Sequence, residues 1–193
     1  MTIVPVVEGH GEVEAVPVLI RRIAERMGVV ARVAPPIRVK RSKLAKESEL
    51  ERTIELAARI GGVDGSILVL LDADEDLPCR LAPRLLERAR AARSDRRIRI
   101  VLARTEFEAW FIAAAPSIAG KRGLASPLAP ATDAEAIRDA KGWLSQRMLS
   151  PHRYRETIDQ AKLAAVFDLD LARIHSPSFD KFWRDTEDLL RGG

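Results

Sequence analysis

The stretch Ser66-Ile67-Leu68-Val69-Leu70-Leu71 runs straight into Asp72-Ala73-Asp74-Glu75-Asp76, and this abrupt change constrains the chain more than any other feature. Consecutive apolar residues bounded by Gly65 and an acidic turn predict a short strand buried on both faces, as in a parallel sheet. Extended backbone alternates its side chains, so Asp72 and Asp74 are expected on one side and Ala73 on the other. Two carboxylates aimed at one spot repel each other unless a proton or a cation lies between them. A divalent metal is the natural candidate.

The same pattern of strand, turn and helix occurs at the start of the chain. Ile3-Val4-Pro5-Val6-Val7 ends in Glu8-Gly9-His10-Gly11-Glu12, and Val16, Leu19, Ile20, Ile23 and Met27 then recur at helical spacing. Glu12 and Glu14 suit the first turn of that helix and Gly28 suits its end. Residues 32–40, interrupted by Pro35-Pro36, predict a poor or bent strand, because proline removes ladder donors. Leu50, Ile54 and Ala57 mark a second helix closing near Gly61-Gly62, and Leu81, Leu85 and Ala89 mark a third. Ile98-Arg99-Ile100-Val101-Leu102 gives a further strand.

This alternation predicts an α/β fold, a mainly parallel sheet flanked by helices with right-handed crossovers, in the manner of Rossmann-like domains. Ligands of such sheets bind outside the carboxyl ends of the strands. Glu8 and the Asp72/Asp74 pair therefore face one rim. If their strands are neighbours, the two axes lie about 4.8 Å apart, close enough for Glu8 and Asp72 to share an ion.

After Leu102, Arg104-Thr105-Glu106-Phe107-Glu108-Ala109-Trp110-Phe111 opens an aromatic-rich helix. Glu106 and Glu108 would lie on nearly opposite sides of it unless the turn begins later. Residues 116–132 read as a loop or lid. Helices are expected over 133–148 and 154–166, with a short amphipathic one around Phe179, Phe182, Trp183 and Leu190, capped by Ser178. The expected division is an α/β domain over residues 1–115 and a loop with a helical appendage packed on it over 116–193.

With 193 residues, 47% hydrophobic and 31% charged, the chain suits one sizeable core. A formal charge of +4 and a pI near 9.6 are compatible with a polyanionic partner such as nucleic acid. No apolar run reaches membrane-spanning length, so no membrane role is expected. The single Cys79 excludes an internal disulfide and a cysteine-based zinc site, and with no signal peptide in view the expected compartment is the cytoplasm.

Strand-Glu-Gly before a helix, then strand-Asp-x-Asp before a helix, resembles the toprim domain of topoisomerases, DnaG-type primases and OLD-family nucleases over roughly the first hundred residues. More narrowly, Val7 to Glu12, Leu71 to Asp74, Arg104 to Phe111 and Ser176-Pro177-Ser178-Phe179 resemble a toprim-like bacterial family, domain-of-unknown-function family 4276, over nearly the whole chain. The resemblance implies Mg2+ or Mn2+ bound by Glu8, Asp72 and Asp74, and OLD-type members add a glutamate at the position of Glu12. It also implies a separate ATPase partner, since similar proteins are encoded beside ATPases in phage-defence clusters. The chemistry agrees, because hard dications take carboxylate oxygens and two ions can activate water during phosphodiester cleavage. Tyr154, the only tyrosine, lies between Arg153 and Arg155 in a poor context for strand passage, which favours hydrolysis.

Plainer roles stand beside these. Asp74 or Asp76 could cap the following helix, Glu12 could simply favour a helix dipole, and Glu106 and Glu108 read first as solvated helix-start acids. His10, between two glycines, could touch a phosphate or the metal, or be an ordinary loop residue. Arg38, Lys40, Arg41, Lys43 and Lys46 suit a phosphate track or a solvated face equally. The leading expectation is a Mg2+- or Mn2+-dependent nuclease acting on DNA or RNA. The alternatives are a nucleotidyl- or glycosyltransferase using Asp-x-Asp, a dehalogenase-like phosphatase, and a non-catalytic toprim-like assembly module.

Overall fold

The computed structural model describes residues 2–44, 46 and 48–192; Met1, Ala45, Glu47 and Gly193 lie outside the described residues. Five parallel strands form the sheet: β1 (Thr2–Val7), β2 (Arg32–Val33), β3 (Ile37–Arg38), β4 (Gly65–Asp72) and β5 (Ile98–Ala103). Their order is β2-β1-β4-β5, with β3 pairing further along the same edge of β1. The bent strand expected over 32–40 is thus two short strands separated by Pro35-Pro36, each bonded to β1. β1 and β4 are neighbours, with Val7 opposite Leu70. The chain leaves β1 toward β2 and returns on the other side at β4, which puts the topological switch point between these two strands.

Both faces are covered because β1, β4 and β5 are apolar on both. On one face α3 (Glu49–Gly61) and α4 (Pro78–Ala92) bury Ile54, Ala57, Leu85 and Ala89 against Val4, Val69 and Ile100. The short α2 (Arg41–Leu44) adds Leu44 to this layer. On the other face α1 (Glu12–Arg26) buries Val16, Leu19, Ile20 and Ile23 beside Ile3, Val7, Leu68 and Leu70. Among the described residues no helix is long and apolar enough to cross a membrane.

The C-terminal third completes the α1 face with α5 (Ala109–Ala113), α6 (Ala115–Ile118), α7 (Ala140–Gln146), α8 (Glu156–Ala164), α9 (Leu169–His175) and α10 (Pro177–Arg191). Their aromatic side chains interlock: the Trp110 ring centroid lies 4.7 Å from Phe107, 5.2 Å from Phe179 and 5.1 Å from Phe182. Arg22 of α1 donates to the carbonyls of Ala164 at 2.7 Å and Phe167 at 2.9 Å. A charged donor thereby satisfies acceptors that the end of α8 leaves open.

Several local expectations are corrected here. The helix expected over 133–148 is a single 3-10 turn at Ala134–Ala136 followed by α7, because Asp133 and Asp139 each cap a new start with their side chains. The helix expected over 154–166 contracts to α8, and α9, capped by Asp168 through Asp170 N and Leu171 N, was not foreseen. The cap of α10 is Ser176, whose hydroxyl accepts from Phe179 N at 3.1 Å, rather than Ser178. Pro177 then occupies the first helical turn, where its missing donor costs nothing.

Candidate functional site

Glu8 follows the last residue of β1, and its backbone enters a turn closed by Glu12. Glu12 Oε2 accepts from Glu8 N at 3.0 Å and Gly9 N at 3.3 Å, so the Glu12 side chain folds back over its own entry loop. Gly11 lets this turn lie directly against the chain at Glu156. A Cβ there would meet the Glu156 carbonyl oxygen at 2.6 Å, and the Gln160 side chain as well. Glu12 is only 3% exposed. Burial pushes its carboxyl up to about 7, and the negative charges of Glu108 and Glu8 add to the rise.

Asp72 ends β4 and turns toward this same interior. Its Oδ1 accepts from Phe107 N at 2.8 Å. Burial first, and then repulsion from Glu12 and Glu108, raise its carboxyl well above the ordinary range, while Lys141 pulls the other way. Asp74 does not join it. The strand stops at Asp72 and Asp74 takes φ 48°, which ends the alternation that would have aligned the two acids. Asp74 Oδ2 instead lies 2.5 Å from Arg41 Nη1, and Asp76 pairs with the same guanidinium.

Glu8 stands between the two groups. Its Oε1 accepts from Arg41 N at 3.2 Å, while Oε2 is buried with no hydrogen-bond donor. Burial raises its pKa, the Arg41 amide lowers it, and Asp74 raises it again. Adjacency of β1 and β4 thus brings the acids to one rim as an arc, with Glu108, Asp72 and Glu12 inside and Glu8, Asp74 and Asp76 outside. His10 is exposed on the turn and is not drawn into this arc by any hydrogen bond or ion pair among the described residues.

Glu108 corrects the expectation of a solvated helix-start acid. It is fully buried; Oε1 accepts from Tyr154 Oη at 2.8 Å and Gln160 Nε2 at 3.0 Å. Glu106 precedes the helix, which begins only at Ala109, so the opposite-sides argument does not apply. Both acids reach Lys141, whose Nζ lies 3.0 Å from Glu106 Oε2 and 3.0 Å from Glu108 Oε2. Burial alone would lower the Lys141 pKa, but Glu108 and Asp72 outweigh it and hold the ammonium charged. Burial and the Glu108 carboxylate likewise raise the Tyr154 phenol. Tyr154 is therefore an anchor inside the molecule, not an exposed nucleophile.

Lys141 and Gln160 were missed in the sequence, and Tyr154 was weighed there only as a nucleophile, since each comes from a weakly patterned segment. The second buried acid they leave unexplained, Glu135, is a scaffold: its Oε1 accepts from Ser176 Oγ at 2.6 Å and Ser178 N at 2.8 Å at the start of α10. Ser178 Oγ in turn accepts from Trp110 Nε1 at 2.8 Å. That network holds the segment from which Phe107 N reaches Asp72.

Among the described residues no three acid, histidine or cysteine side chains are grouped as ligands of one metal ion. The cations within the arc are Lys141 and Arg41. The donor chemistry nonetheless suits a hard dication: all the groups are carboxylates, Glu8 Oε2 carries an open buried lone pair, and Glu108 Oε2 has no partner beyond the Lys141 ammonium.

A doubly covered parallel sheet with acids gathered at its switch point defines an α/β protein with a carboxylate pocket. The chain belongs to the family described as Domain of unknown function (DUF4276), whose model matches residues 7–187. The match begins at the last residue of β1 and takes in the other strands, every acid of the arc and all but the end of α10. No curated protein and no solved structure matches the chain.

Proposed function

We propose that this chain is a Mg2+- or Mn2+-dependent nuclease of the toprim type, hydrolysing phosphodiester bonds of DNA or RNA. The observation that carries the reading is the crowding of Glu12, Asp72 and Glu108 at the carboxyl ends of β1 and β4, where burial and mutual repulsion raise the first two carboxyls. Such a pocket is costly unless positive charge enters it. Glu8, Glu12 and Asp72 would hold the ion, while Asp74, expected in the sequence to join them, is taken up by Arg41. When bound, it would polarise a phosphoryl oxygen and lower the pKa of a water.

The protein's own residues prepare the pocket. Glu12 ties the Glu8-Gly9 amides and fixes the loop, the Phe107 amide orients Asp72, and the buried aromatic cluster beneath keeps both in place. Lys141 offers a positive charge against the phosphate, on an α-helix that the sequence did not connect to the site. A separate ATPase is the proposed protein partner and the cytoplasm the proposed compartment. The ion pairs of Arg41 with Asp74 and Asp76 favour a second reading, a non-catalytic assembly module, because they neutralise the outer acids without a metal.

Calorimetric titration with Mn2+, alongside incubation with plasmid DNA and with RNA, tests the proposal. Metal uptake and cleavage that both disappear in Asp72→Ala are expected. Equal cleavage by the variant would remove the acid pocket from the mechanism, and a wild type that neither takes up Mn2+ nor cleaves would favour the assembly module.

A further inference from the structure

Next to the acid pocket lies a second concavity. A cavity of about 720 Å3 is lined by Arg122, His152, Arg153 and Arg155 together with Ile158 and Asp159. It shares Met148, Pro151, His152 and Arg153 with a neighbouring cavity of about 480 Å3 that reaches Gly142, so the two form one groove. Its walls are bonded together. Ala125 N donates to Arg147 O at 2.8 Å and Leu149 N to Gly123 O at 2.8 Å. Gly123, at φ +83°, lets the His152 ring approach to 3.3 Å of where a Cβ would stand.

Residues 152–155 lie outside any helix or strand, and the backbone at Arg155 is extended. Tyr154 points inward to Glu108, while Arg153 and Arg155 on either side of it face the groove. The groove also contains one acid, Asp159, which is already engaged: Oδ2 accepts from Arg155 N at 3.0 Å and Oδ1 lies 3.5 Å from Arg122 Nη2. Among the described residues neither Arg153 nor Arg155 pairs with a carboxylate. The groove ends at Gly142, the residue after Lys141, whose ammonium enters the acid pocket.

We propose that this groove is the track for the phosphate backbone of the nucleic-acid substrate, with Arg122, Arg153 and Arg155 as its phosphate contacts, leading the strand past Lys141 to the acids. The inference rests on the nuclease reading for the identity of the polyanion. A concave row of guanidiniums, of which Arg153 and Arg155 have no carboxylate partner among the described residues, gains from releasing a polyanion's counterions, and binding of this kind carries a steep salt dependence. The volume is within the range of sites that enclose a nucleotide-sized ligand. Arg38, Lys40 and Lys43, the cluster singled out in the sequence, lie instead at the far edge of the sheet beside β3, and Arg41 is taken up by Asp74 and Asp76.

The test is binding without catalysis: fluorescence anisotropy of labelled single-stranded and duplex DNA and of single-stranded RNA, in EDTA, with the full chain at several salt concentrations. Arg153→Ala/Arg155→Ala is expected to weaken binding about tenfold and to reduce the slope of log affinity against log salt by roughly 1 to 2. The exposed pair Arg84→Ala/Arg90→Ala on α4, on the opposite face, matches the change in net charge and is expected to shift affinity less than twofold. Equal losses in both double variants, or wild-type binding in the groove variant, would overturn the track, as would a wild-type chain that binds none of the probes at low salt. Thermal melts of each variant exclude unfolding as the cause. Because Mn2+ uptake is measured separately, loss of the track and loss of the metal reading are distinguishable.

Discussion

Lys141 Nζ lies 3.0 Å from Glu108 Oε2, so a residue of the C-terminal helical layer supplies the counter-charge to an acid at the end of the sheet. The pair is unequal: Glu108 is fully buried while Lys141 keeps 38% of its side chain exposed. Removing the lysine strands a carboxylate that cannot reach water. Breaking a fully buried pair costs about 3–5 kcal/mol, and the partial exposure of the lysine reduces this to about 1–2 kcal/mol. Lys141→Met is therefore expected to lower the midpoint of urea unfolding in EDTA, and Glu108→Gln in the same background to restore most of the loss. A double-mutant cycle measures it.

The pH dependence of the metal-free protein follows from Glu12. Its folded-state carboxyl, at about 7, sits above the ordinary value of 4.5, so the folded protein binds a proton that the unfolded chain has released. The stabilisation is therefore complete below about 4.5 and is lost as pH rises through about 7. Taken alone the shift corresponds to roughly 3 kcal/mol. Thermal melts in EDTA are expected to fall between pH 5 and 8, and Glu12→Gln, which keeps an oxygen for the Glu8 and Gly9 amides, to flatten that fall. A rise over the same interval would contradict the buried-acid description.

The sheet was legible because its three long strands are largely buried on both faces, which leaves apolar runs at 3–7 and 67–71 and one broken only by Arg99 at 98–102. The acid tips were legible as well, since Glu8 and Asp72 each end such a run. What the sequence did not disclose was direction. Asp72 and Asp74 were expected together, yet a left-handed residue at Asp74 sends one inward and the other to Arg41. Glu108 read as a surface acid because its partners, Lys141, Tyr154 and Gln160, come from segments without clear periodicity. Helix starts in that region depend on Asp133, Asp139, Asp168 and Ser176, and a single side chain accepting from one or two amides leaves little trace in a hydrophobic pattern.

Asp72 tests whether the pocket is strained for function. Asp72→Asn keeps an oxygen for the Phe107 amide and removes one charge from the group with Glu12 and Glu108. In EDTA at pH 8 its melting temperature is expected to equal or exceed that of the wild type, because repulsion is relieved. With Mn2+ the order is expected to reverse, since only the wild type gains from the ion through mass action. A large loss of stability without metal would instead assign Asp72 a purely structural role.

Gly11 joins the loop that carries Glu8 to the helix that carries Gln160. Its φ lies in the ordinary right-handed region, so alanine is not excluded by backbone conformation; the obstacle is the Glu156 carbonyl at 2.6 Å from the added carbon. Backbone on both sides leaves no flexible end to give way, so Gly11→Ala must push α8 from α1 at a cost of about 1–3 kcal/mol. The displacement would also draw Gln160 from Glu108 and loosen the seat of Lys141. The expected result is a lower melting temperature together with weaker Mn2+ uptake, whereas Gly28→Ala, at φ +69° with open space around it, is expected to lower stability through backbone strain alone and leave metal uptake unchanged. Calorimetry on the two variants side by side separates damage to the pocket from a general loss of stability.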